Sequence, residues 1–388
     1  MIKALRGMKD IIEESDKFTT FIDTASQIAK NFSFTYIETP LLEETRLFKR
    51  SVGESSDIVN KEMYQFIDKG NNDVCLRPEG TAGVVRAYIQ KKYDSLKTPK
   101  QWFYYGPMFR YERPQKGRLR EFHQFGVESF GEGSVYEDIK VILMASKILD
   151  AFNIKYTLKI NSLGCDECRP KYTQNLINFL EDKKEKLCED CNRRITQNPI
   201  RTLDCKNENC QKELVDAPKI THNLCQSCEN DFQLLQTELD KLGIKYEVDT
   251  NLVRGLDYYN KTAFEFISDE IGSQSAICGG GRYDKLVEML DGKPVPAVGF
   301  AMGIERLLPL LNVEEKREGI YIGIMTETAR DMAIEKFKNL VDTEKVYFEN
   351  RVRKLQQHLK RADKMNFKKV LIAGEDEVKS GEFFSKEL

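Results

Sequence analysis

Eight of the ten cysteines lie in one segment of the chain, between residues 165 and 228. They form four close pairs, which are Cys165/Cys168, Cys188/Cys191, Cys205/Cys210 and Cys225/Cys228. Three of these pairs have the C-x-x-C spacing that lets two thiolates approach one tetrahedral ion. In a reducing compartment such pairs indicate zinc before disulfides, but reduced thiols that pack a small domain would give the same pattern. Both interpretations stay open, and His222 in this segment is a further candidate ligand.

Two aromatic segments carry a second group of reactive side chains. The stretches 102–112 and 121–130 favour β-strands, and the basic segment RPQKGRLR between them predicts a hairpin with a positively charged loop. Because successive strand side chains point to opposite faces, Arg110 and Glu112 share a face of the first strand. In the second strand a ring, an amide and a carboxylate share a face, namely Phe122, Gln124 and Glu128. These faces either line one cavity or form an exposed polar surface.

A third group of candidate residues is basic. The residues from 351 to 369 include eight Lys or Arg and one acid, Asp363. The candidates for contact with a phosphate backbone are Arg351, Arg353, Lys354, Lys360 and Arg361. A charge run of this kind is also typical of a solvated helix face, and the sequence leaves that alternative open.

Length and charge limit what the whole chain can be. Its 388 residues suggest two or three domains, and its net charge of −2 excludes a general basic coat, so that any nucleic-acid contact must be local. Apolar stretches such as 298–304 fall far short of the roughly 20 residues that cross a bilayer. The first 18 residues are charged where a signal peptide is apolar, so we expect a cytoplasmic protein without a membrane partner.

The elements that must position these residues fall into four segments. Strand signals in 1–160 and 236–312 predict two parts of one domain, and the Cys-rich segment 161–235 predicts a domain inserted between them. Strands alternate with helices in 319–388, which predicts a small α/β domain with a parallel component. We expect GFAMGIERLLPLL, from residue 299, to form a buried helix. We also expect a final strand beyond KKVLIAG, so the chain end at FFSKEL suggests an incomplete last domain.

Six segments in order resemble class II aminoacyl-tRNA synthetases, and two of them resemble peptides peculiar to the histidyl-tRNA synthetase family. FRYERPQKGRLREFHQFGVESFG is similar to motif 2, and GFAMGIERL is similar to motif 3. LVRGLDYYNKTAFEF and GGGRYD resemble the two family-specific peptides. ETPLLEETRLFKRSVGESSD resembles motif 1, and LRPEGTAGVVRA resembles a substrate-binding loop. The resemblance covers the chain from Gly7 to about Gly374.

The resemblance implies a fold and a reaction. The fold would be an α+β catalytic core with an antiparallel sheet, a Cys-rich insert and a C-terminal α/β anticodon-binding domain. The reaction would join histidine to ATP as histidyl-adenylate, release pyrophosphate, and transfer the histidyl group to tRNA(His). Mg²⁺ would accompany ATP, and zinc is a further candidate ion in the insert. Motif 1, with Pro40, would form a homodimer interface.

The resemblance also implies roles for single residues. The ATP-binding set would be Arg110, Glu112, Arg113, Arg118, Phe122 and Arg306. Phe122 and Arg306 would enclose the adenine ring, while Arg110 and Arg254 would stabilise the charge at the α-phosphorus. The histidine-binding set would be Glu79, Thr81, Gln124, Glu128, Arg254, Tyr258, Tyr259 and Tyr283. Gly299 and Gly303 would let the backbone approach the nucleotide.

A catalytically silent relative with the same core is the alternative. Such proteins act as regulatory subunits of ATP phosphoribosyltransferase, and they usually lose the motif 2 and LVRGLDYY arginines. Arg110, Arg254 and Arg306 are all present here, as is a C-terminal domain. The sequence therefore favours the enzyme.

Overall fold

The computed structural model describes residues 2–53, 56, 58–96, 98–115, 117–205, 207–272, 276–312 and 317–388. The described residues divide into two units, within 1–312 and within 313–388. Of the segments that resemble known motifs, Glu54, Ser55, Asp57 and Lys116 lie outside the described residues.

The strands and helices follow one another along the chain with these bounds. The strands are β1 (Thr35–Tyr36), β2 (Leu42–Glu44), β3 (Gln65–Ile67), β4 (Asp73–Leu76), β5 (Lys100–Phe109), β6 (Glu121–Phe130), β7 (Thr157–Ser162), β8 (Tyr246–Val248), β9 (Asn260–Ile267), β10 (Ala276–Arg282), β11 (Ala297–Gly303), β12 (Ile320–Ile324), β13 (Val346–Glu349), β14 (Lys369–Ala373) and β15 (Phe384–Glu387). The helices are α1 (Ser15–Asn31), α2 (Thr45–Val52), α3 (Thr81–Gln90), α4 (Val135–Asp150), α5 (Arg169–Glu181), α6 (Glu189–Gln197), α7 (Glu208–Glu213), α8 (Gln226–Lys241), α9 (Leu286–Met289), α10 (Ile304–Leu307), α11 (Arg330–Leu340), α12 (Leu355–Lys364) and α13 (Glu375–Ser380).

A mixed sheet in the order β1-β5-β6-β11-β10-β9-β7-β8 is the frame of the first unit. Its six central strands are antiparallel, and only the edge strands β1 and β8 pair in parallel with their neighbours. The predicted hairpin is confirmed as β5 and β6, which pair along their whole length. A separate three-stranded sheet has the order β2-β4-β3.

Helix α4 covers the sheet, and a buried ion pair fixes it there. Its N-terminus is capped by Ser134, which accepts from the backbone N–H of Tyr136. The α4 residue Asp138 binds the guanidinium of Arg282, which ends β10, and both side chains are fully buried. Arg282 also donates to the backbone carbonyls of Glu132 and Ser134. Because every buried charge has a partner, this arginine of the GGGRYD peptide is structural.

The insert leaves the sheet after β7 and returns through α8. It has its own apolar core, in which Tyr172, Leu176 and Leu180 of α5 pack against Ile195 of α6. The predicted boundaries at 160/161 and 235/236 fall inside β7 and inside α8, because both elements run on past them. The described parts of residues 1–312 form one unit that includes the insert.

The segment GFAMGIERLLPLL differs from its predicted form. Its first residues extend β11, and only Ile304–Leu307 forms a short helix, α10. The reason is that β11 is a central strand, between β6 and β10. A strand that is covered on both faces has a continuous apolar sequence. Such a run cannot be told from a buried helix by periodicity alone.

The second unit confirms the predicted α/β pattern. Its sheet has the order β13-β12-β14-β15, and β12 pairs in parallel with both β13 and β14. The last strand was predicted to be missing, but Phe384–Glu387 forms it and pairs antiparallel with β14. Across the described ranges of the chain, no helix combines the length and the apolar character that a bilayer crossing requires.

Candidate active site

A cleft above the large sheet collects most of the predicted site residues. It encloses about 920 Å³ when the solvent-filled space at its mouth is included. The predicted residues in its wall are Glu79, Thr81, Arg110, Glu112, Arg118, Phe122, Gln124, Arg254, Tyr258, Tyr259 and Arg306. Arg113, Glu128 and Tyr283 are not among the lining residues that the structure describes.

Small residues on the central strands make room for the cleft. Gly279 of β10 pairs with Ala301 of β11, which pairs with Gly126 of β6, so three adjacent strands carry almost no side chain there. One step along the same face, Gly303 lies opposite Gln124. Because side chains alternate along a strand, these small residues share one face of the sheet. Gly279, Ala301 and Gly303 leave a floor open to a ligand, whereas the Tyr104 ring covers Gly126.

Arg110 and Phe122 form one side of the cleft. The guanidinium carbon of Arg110 lies 5.2 Å from the centre of the Phe122 ring, and its Nε donates to the carbonyl of Pro78 at 2.9 Å. Arg118 pairs with Glu112 at 3.1 Å, and Arg110 lies 3.9 Å from the same carboxylate. The hairpin therefore presents two cations and an aromatic ring to the cleft.

Arg306 brings a third cation to the same place. Its guanidinium donates to the backbone carbonyls of Gly117 and Ala276 at 3.2 and 2.6 Å. Burial, together with the charges of Arg118 and Arg110, lowers the pKa of Arg306. Arg110, Arg118 and Arg306 all line the cleft, and three guanidinium groups around one space suit an anion with several charges.

Arg254 enters the cleft from a different stretch of the chain. Its guanidinium binds Glu265 of β9 at 2.7 Å, and this carboxylate raises the pKa of Arg254 in spite of its burial. The group lies directly over Gly279, where any Cβ would collide with it. The position of Arg254 therefore depends on a glycine below it and on an acid beside it.

The carboxylate of Glu79 caps the start of α3. It accepts from the backbone N–H groups of Thr81 and Ala82 at 2.7 and 2.9 Å. Its side chain is buried in the cleft wall, and burial raises the pKa of Glu79 although those two hydrogen bonds oppose the shift. Glu79 is thus held rigidly with its charge near the helix N-terminus.

Glu128 lies behind the cleft wall, not in it. Its carboxylate accepts from the hydroxyls of Thr81, Tyr104 and Tyr283, and its exposed fraction is 1%. The ring of Tyr104 occupies the space beside Gly126. Burial raises the pKa of Glu128 to about 8, although hydrogen bonds from Tyr283 and Thr81 oppose the shift.

Gly299 has a different reason to be glycine from the one predicted. A Cβ at this position would collide with the Glu128 carboxylate and with the backbone of Val127. Its small size makes room for Glu128, whereas Gly303 does line the cleft.

Three polar atoms of the predicted histidine set lack a protein partner. They are Oε1 of Gln124, Nε of Arg254 and the hydroxyl of Tyr258, all buried and without a hydrogen bond among the described residues. Unpaired buried polar groups are rare and costly, so each requires an explanation. A polar ligand in the cleft would supply the missing partners.

Some cleft residues were missed from the sequence. Glu265 and Gly279 act on Arg254, and Glu305 lines the cleft while its carboxylate holds the ring and backbone of His123. Glu265 lies in the peptide that resembles a family motif, but its role depends on strand register. Alternation along β9 alone could have placed it on the inner face.

The eight cysteines form two separate clusters of four. Cys165, Cys168, Cys225 and Cys228 make one, and Cys188, Cys191, Cys205 and Cys210 make the other. Within each cluster the sulfur atoms all lie within 4.8 Å of one another, and every cysteine is a free thiol. His222 belongs to neither cluster, and His358 is buried between Tyr321 and the carbonyl of Ile324.

Comparison with known proteins agrees with this geometry. A family model described as Histidyl-tRNA synthetase matches residues 7–307. A Sulfurovum relative named Histidine--tRNA ligase is 61% identical, and the match covers 100% of this chain and 97% of the relative. A Campylobacter jejuni relative of the same name is 58% identical, and the match covers 100% of this chain and 96% of the relative. The crystal structure of apo Staphylococcus aureus histidyl-tRNA synthetase is 34% identical with a TM-score of 0.80, over 100% and 97% of the two chains. The chain belongs to the histidyl-tRNA synthetase family.

Proposed function

We propose that this chain activates L-histidine with ATP and transfers the histidyl group to the 3′ end of tRNA(His). The observation that carries the proposal is that arginines from three separate stretches of the chain, Arg110, Arg254 and Arg306, line one cleft. Unpaired polar atoms on the histidine side of that cleft support it. The regulatory alternative is not favoured, because those arginines are present and the relatives at 58–61% identity are named as ligases.

In the first step, a histidine carboxylate oxygen attacks the α-phosphorus of ATP, and the bond to the leaving pyrophosphate breaks. Negative charge builds on the α-phosphate oxygens during this attack. Arg110 and Arg254, fixed on separate elements, would stabilise that charge, and neither has to accept a proton. In the second step a terminal ribose hydroxyl of the tRNA attacks the acyl carbon, and AMP leaves.

The arginines of motif 2 and motif 3 would bind the rest of ATP. Phe122 and Arg306 would hold the adenine ring by stacking and cation–π contact, which suits a planar guanidinium. Arg113 and Arg118 would contact the outer phosphates. Glu112 would accept a hydrogen bond from the adenine amino group. The Glu265 carboxylate offers oxygen ligands that suit Mg²⁺, which would be held mainly by the phosphates and would neutralise part of their charge.

The amino acid would bind on the tyrosine side of the cleft. Gln124, with its free carbonyl oxygen, and Glu79 would bind the α-amino group. Tyr258 and Tyr259 would face the imidazole. Glu128 would act from behind the wall by holding Thr81 and Tyr104, and Tyr283 would act by donating to Glu128. A site that hydrogen-bonds both ring nitrogens rejects an apolar side chain, because that side chain would leave the polar groups unpaired.

Exchange of labelled pyrophosphate into ATP tests this proposal. We expect exchange that requires histidine and is not supported by phenylalanine or leucine. Charging of tRNA(His) with labelled histidine should follow on addition of the tRNA. Absence of histidine-dependent exchange would contradict the enzyme assignment, while exchange without charging would place the fault in the tRNA contacts.

The motif 1 region is the proposed homodimer interface. Apolar side chains around Pro40 are exposed by more than 40%, namely Tyr36, Leu41, Leu42, Phe66 and Ile67. Strand β1 is also a free edge of the large sheet. Exposed apolar side chains grouped in this way are typical of a protein interface. Light scattering should give twice the chain mass, and Leu42→Glu should give the monomer.

The basic segment of the second unit is the proposed tRNA contact. Buried Glu349 binds Arg353 and Arg361 at 3.2 and 2.7 Å, which fixes both guanidinium groups in place. Arg351, Lys354 and Lys360 are exposed around them. We place the protein in the cytoplasm, where its substrates are, and the predicted zinc in the insert, as a structural ion.

A further inference from the structure

We propose that the insert binds two zinc ions. We also propose that the ion held by the first and last cysteine pairs positions the part of the cleft wall that contains Tyr259. The outer cluster combines the first and last cysteine pairs, Cys165/Cys168 and Cys225/Cys228. The inner cluster combines the two middle pairs, Cys188/Cys191 and Cys205/Cys210. The sites are therefore nested along the chain.

The sulfur spacing fits one tetrahedral ion in each cluster. With Zn–S bonds of about 2.3 Å, the sulfur atoms of a tetrahedral site lie about 3.8 Å apart. In the outer cluster, Cys165 Sγ lies 3.6 Å from Cys168 Sγ and 3.8 Å from Cys225 Sγ. In the inner cluster, Cys188 Sγ lies 3.8 Å from Cys205 Sγ. These separations are nearly twice a disulfide bond, so the thiols are arranged around a shared centre.

Both clusters are built to stabilise thiolates. The backbone N–H of Cys225 donates to Cys168 Sγ, and that of Cys188 donates to Cys210 Sγ, each at 3.1 Å. Cys168, Cys188 and Cys225 are the N-cap residues of α5, α6 and α8. The positive end of a helix favours the thiolate, which is the form that binds a metal.

The outer cluster is tied directly to the cleft. Arg169, next to the ligand Cys168, donates to the carbonyl of Tyr259 at 3.2 Å. Leu163 and Gly164, just before Cys165, exchange backbone hydrogen bonds with Lys261 at 2.6 and 2.9 Å. An ion that fixes the turn from Cys165 to Arg169 therefore holds the backbone at the Tyr259 carbonyl and at Lys261, two residues further along.

The inner cluster has different surroundings. Cys191, Cys205 and Cys210 pack into the apolar core of the insert with Leu187 and Ile195. None of the described cleft residues belongs to this cluster. Its ion would stabilise the insert core. That core reaches the Arg254 segment by packing against Val253 and by the bond from Asn198 to Asp257, so we expect a weaker effect on the cleft than from the outer cluster.

Metal analysis of the full-length protein, purified without added metal or chelator, tests the first half of the proposal. We expect two zinc ions per chain. The double variants Cys225→Ser/Cys228→Ser and Cys188→Ser/Cys191→Ser should each retain one, and Cys75→Ala, which changes a cysteine outside both clusters, should retain two. Iron in place of zinc, fewer than two ions in the wild type, or disulfides in the mass spectrum of the alkylated protein would overturn it.

Kinetics of histidine-dependent pyrophosphate exchange test the second half, which rests on the proposed function. The outer-cluster variant should raise KM for histidine by roughly five- to tenfold, the range expected when one hydrogen bond is lost, while KM for ATP stays the same. The inner-cluster variant should lower the melting temperature and raise KM for histidine by less than the outer-cluster variant does. Equal KM changes in the two variants would overturn the positioning role.

Arg169→Met separates positioning from loss of folding. This variant should keep both zinc ions, because no ligand changes, and should still reproduce the rise in KM for histidine, because the bond to the Tyr259 carbonyl is removed. An unchanged KM would overturn the link to the cleft. If the wild type shows no exchange at all, the proposed function fails, while the zinc count still decides the metal sites.

Discussion

Arg254 is the residue on which the proposed chemistry depends most. It is ion-paired with Glu265 and it lines the same cleft as Arg110, although it lies 144 positions further along the chain. Its pairing keeps the guanidinium in one orientation, so little reorganisation is needed when charge develops on a bound phosphate.

We expect Arg254→Ala to lower turnover far more than substrate binding. One preorganised donor to a developing charge typically contributes about 10² to 10³ in rate, so kcat for exchange should fall by about that factor. KM for histidine and for ATP should change only a few-fold. Steady-state exchange kinetics measure the split, and circular dichroism checks that the variant is folded. A similar fall in Arg330→Ala, a change in the second unit, would argue against a specific role.

Glu128 makes stability depend on pH. Burial raises its pKa from 4.5 to about 8, so between these pH values the folded chain holds a proton that the unfolded chain has lost. The free energy of unfolding should therefore decrease as pH rises through this window, by at most about 1.4 kcal/mol per pH unit from this group.

Glu128→Gln removes this contribution. Between pH 5 and pH 8 the free energy of unfolding should decrease with pH less steeply in the variant than in the wild type, because an amide does not titrate. Urea unfolding of both proteins at several pH values measures the difference. If the two proteins lose stability with pH in parallel, Glu128 is already ionised at pH 5 in the folded chain and its pKa is not raised.

At the scale of elements, strand register decides which side chains meet. The row that crosses the sheet through Glu265, Gly279, Ala301 and Gly126 brings an acid, two small residues and a glycine together from four strands. A shift of one residue in any of these strands would turn its side chains to the other face and close the cleft.

Gly279→Ala tests the floor of the cleft. The added methyl group would collide with the Arg254 guanidinium and displace it, so we expect kcat to fall roughly 10- to 100-fold, as for a misplacement of about 1 Å. Gly133→Ala is the matched control, because a Cβ there makes only ordinary contacts with Pro296. The measurement is kcat for pyrophosphate exchange in both variants. Equal values would show that the small size of Gly279 is not needed to position Arg254.

At the scale of the whole molecule, the two units are expected to divide the work. Activation of histidine needs the cleft of the first unit, whereas the second unit carries the exposed basic residues. Reactions that do not involve tRNA should therefore be insensitive to charge changes in the second unit.

We expect Arg351→Ala/Lys360→Ala to weaken tRNA binding without affecting pyrophosphate exchange. Each lost phosphate contact should reduce the salt dependence of binding. The slope of the logarithm of the binding constant against the logarithm of the salt concentration should become smaller by about 1 per contact. Filter binding of tRNA(His) at several salt concentrations measures this, and Lys338→Ala on α11 is the control. An unchanged salt slope would show that these residues do not contact the tRNA and that the basic segment is a solvated helix face.

Much of this protein was determined by its sequence alone. The hairpin of β5 and β6, the α/β pattern of the second unit and eleven residues of the cleft wall follow from alternation and from the matched motifs, because these are local patterns of residue type. The sequence also shows the four close cysteine pairs, but it left a zinc site and packed thiols both open. These features need no knowledge of which segments meet.

Only the tertiary structure decided the rest. Four cysteine pairs can be combined into two clusters in three ways, and the nested arrangement depends on how β7 and α8 return to the sheet. The apolar run at 299 became a strand because neighbours cover it on both sides. Glu128 lies behind the wall because the Tyr104 ring fills the space beside Gly126. In each case the outcome depends on contacts between residues distant in the chain, which a local pattern does not record.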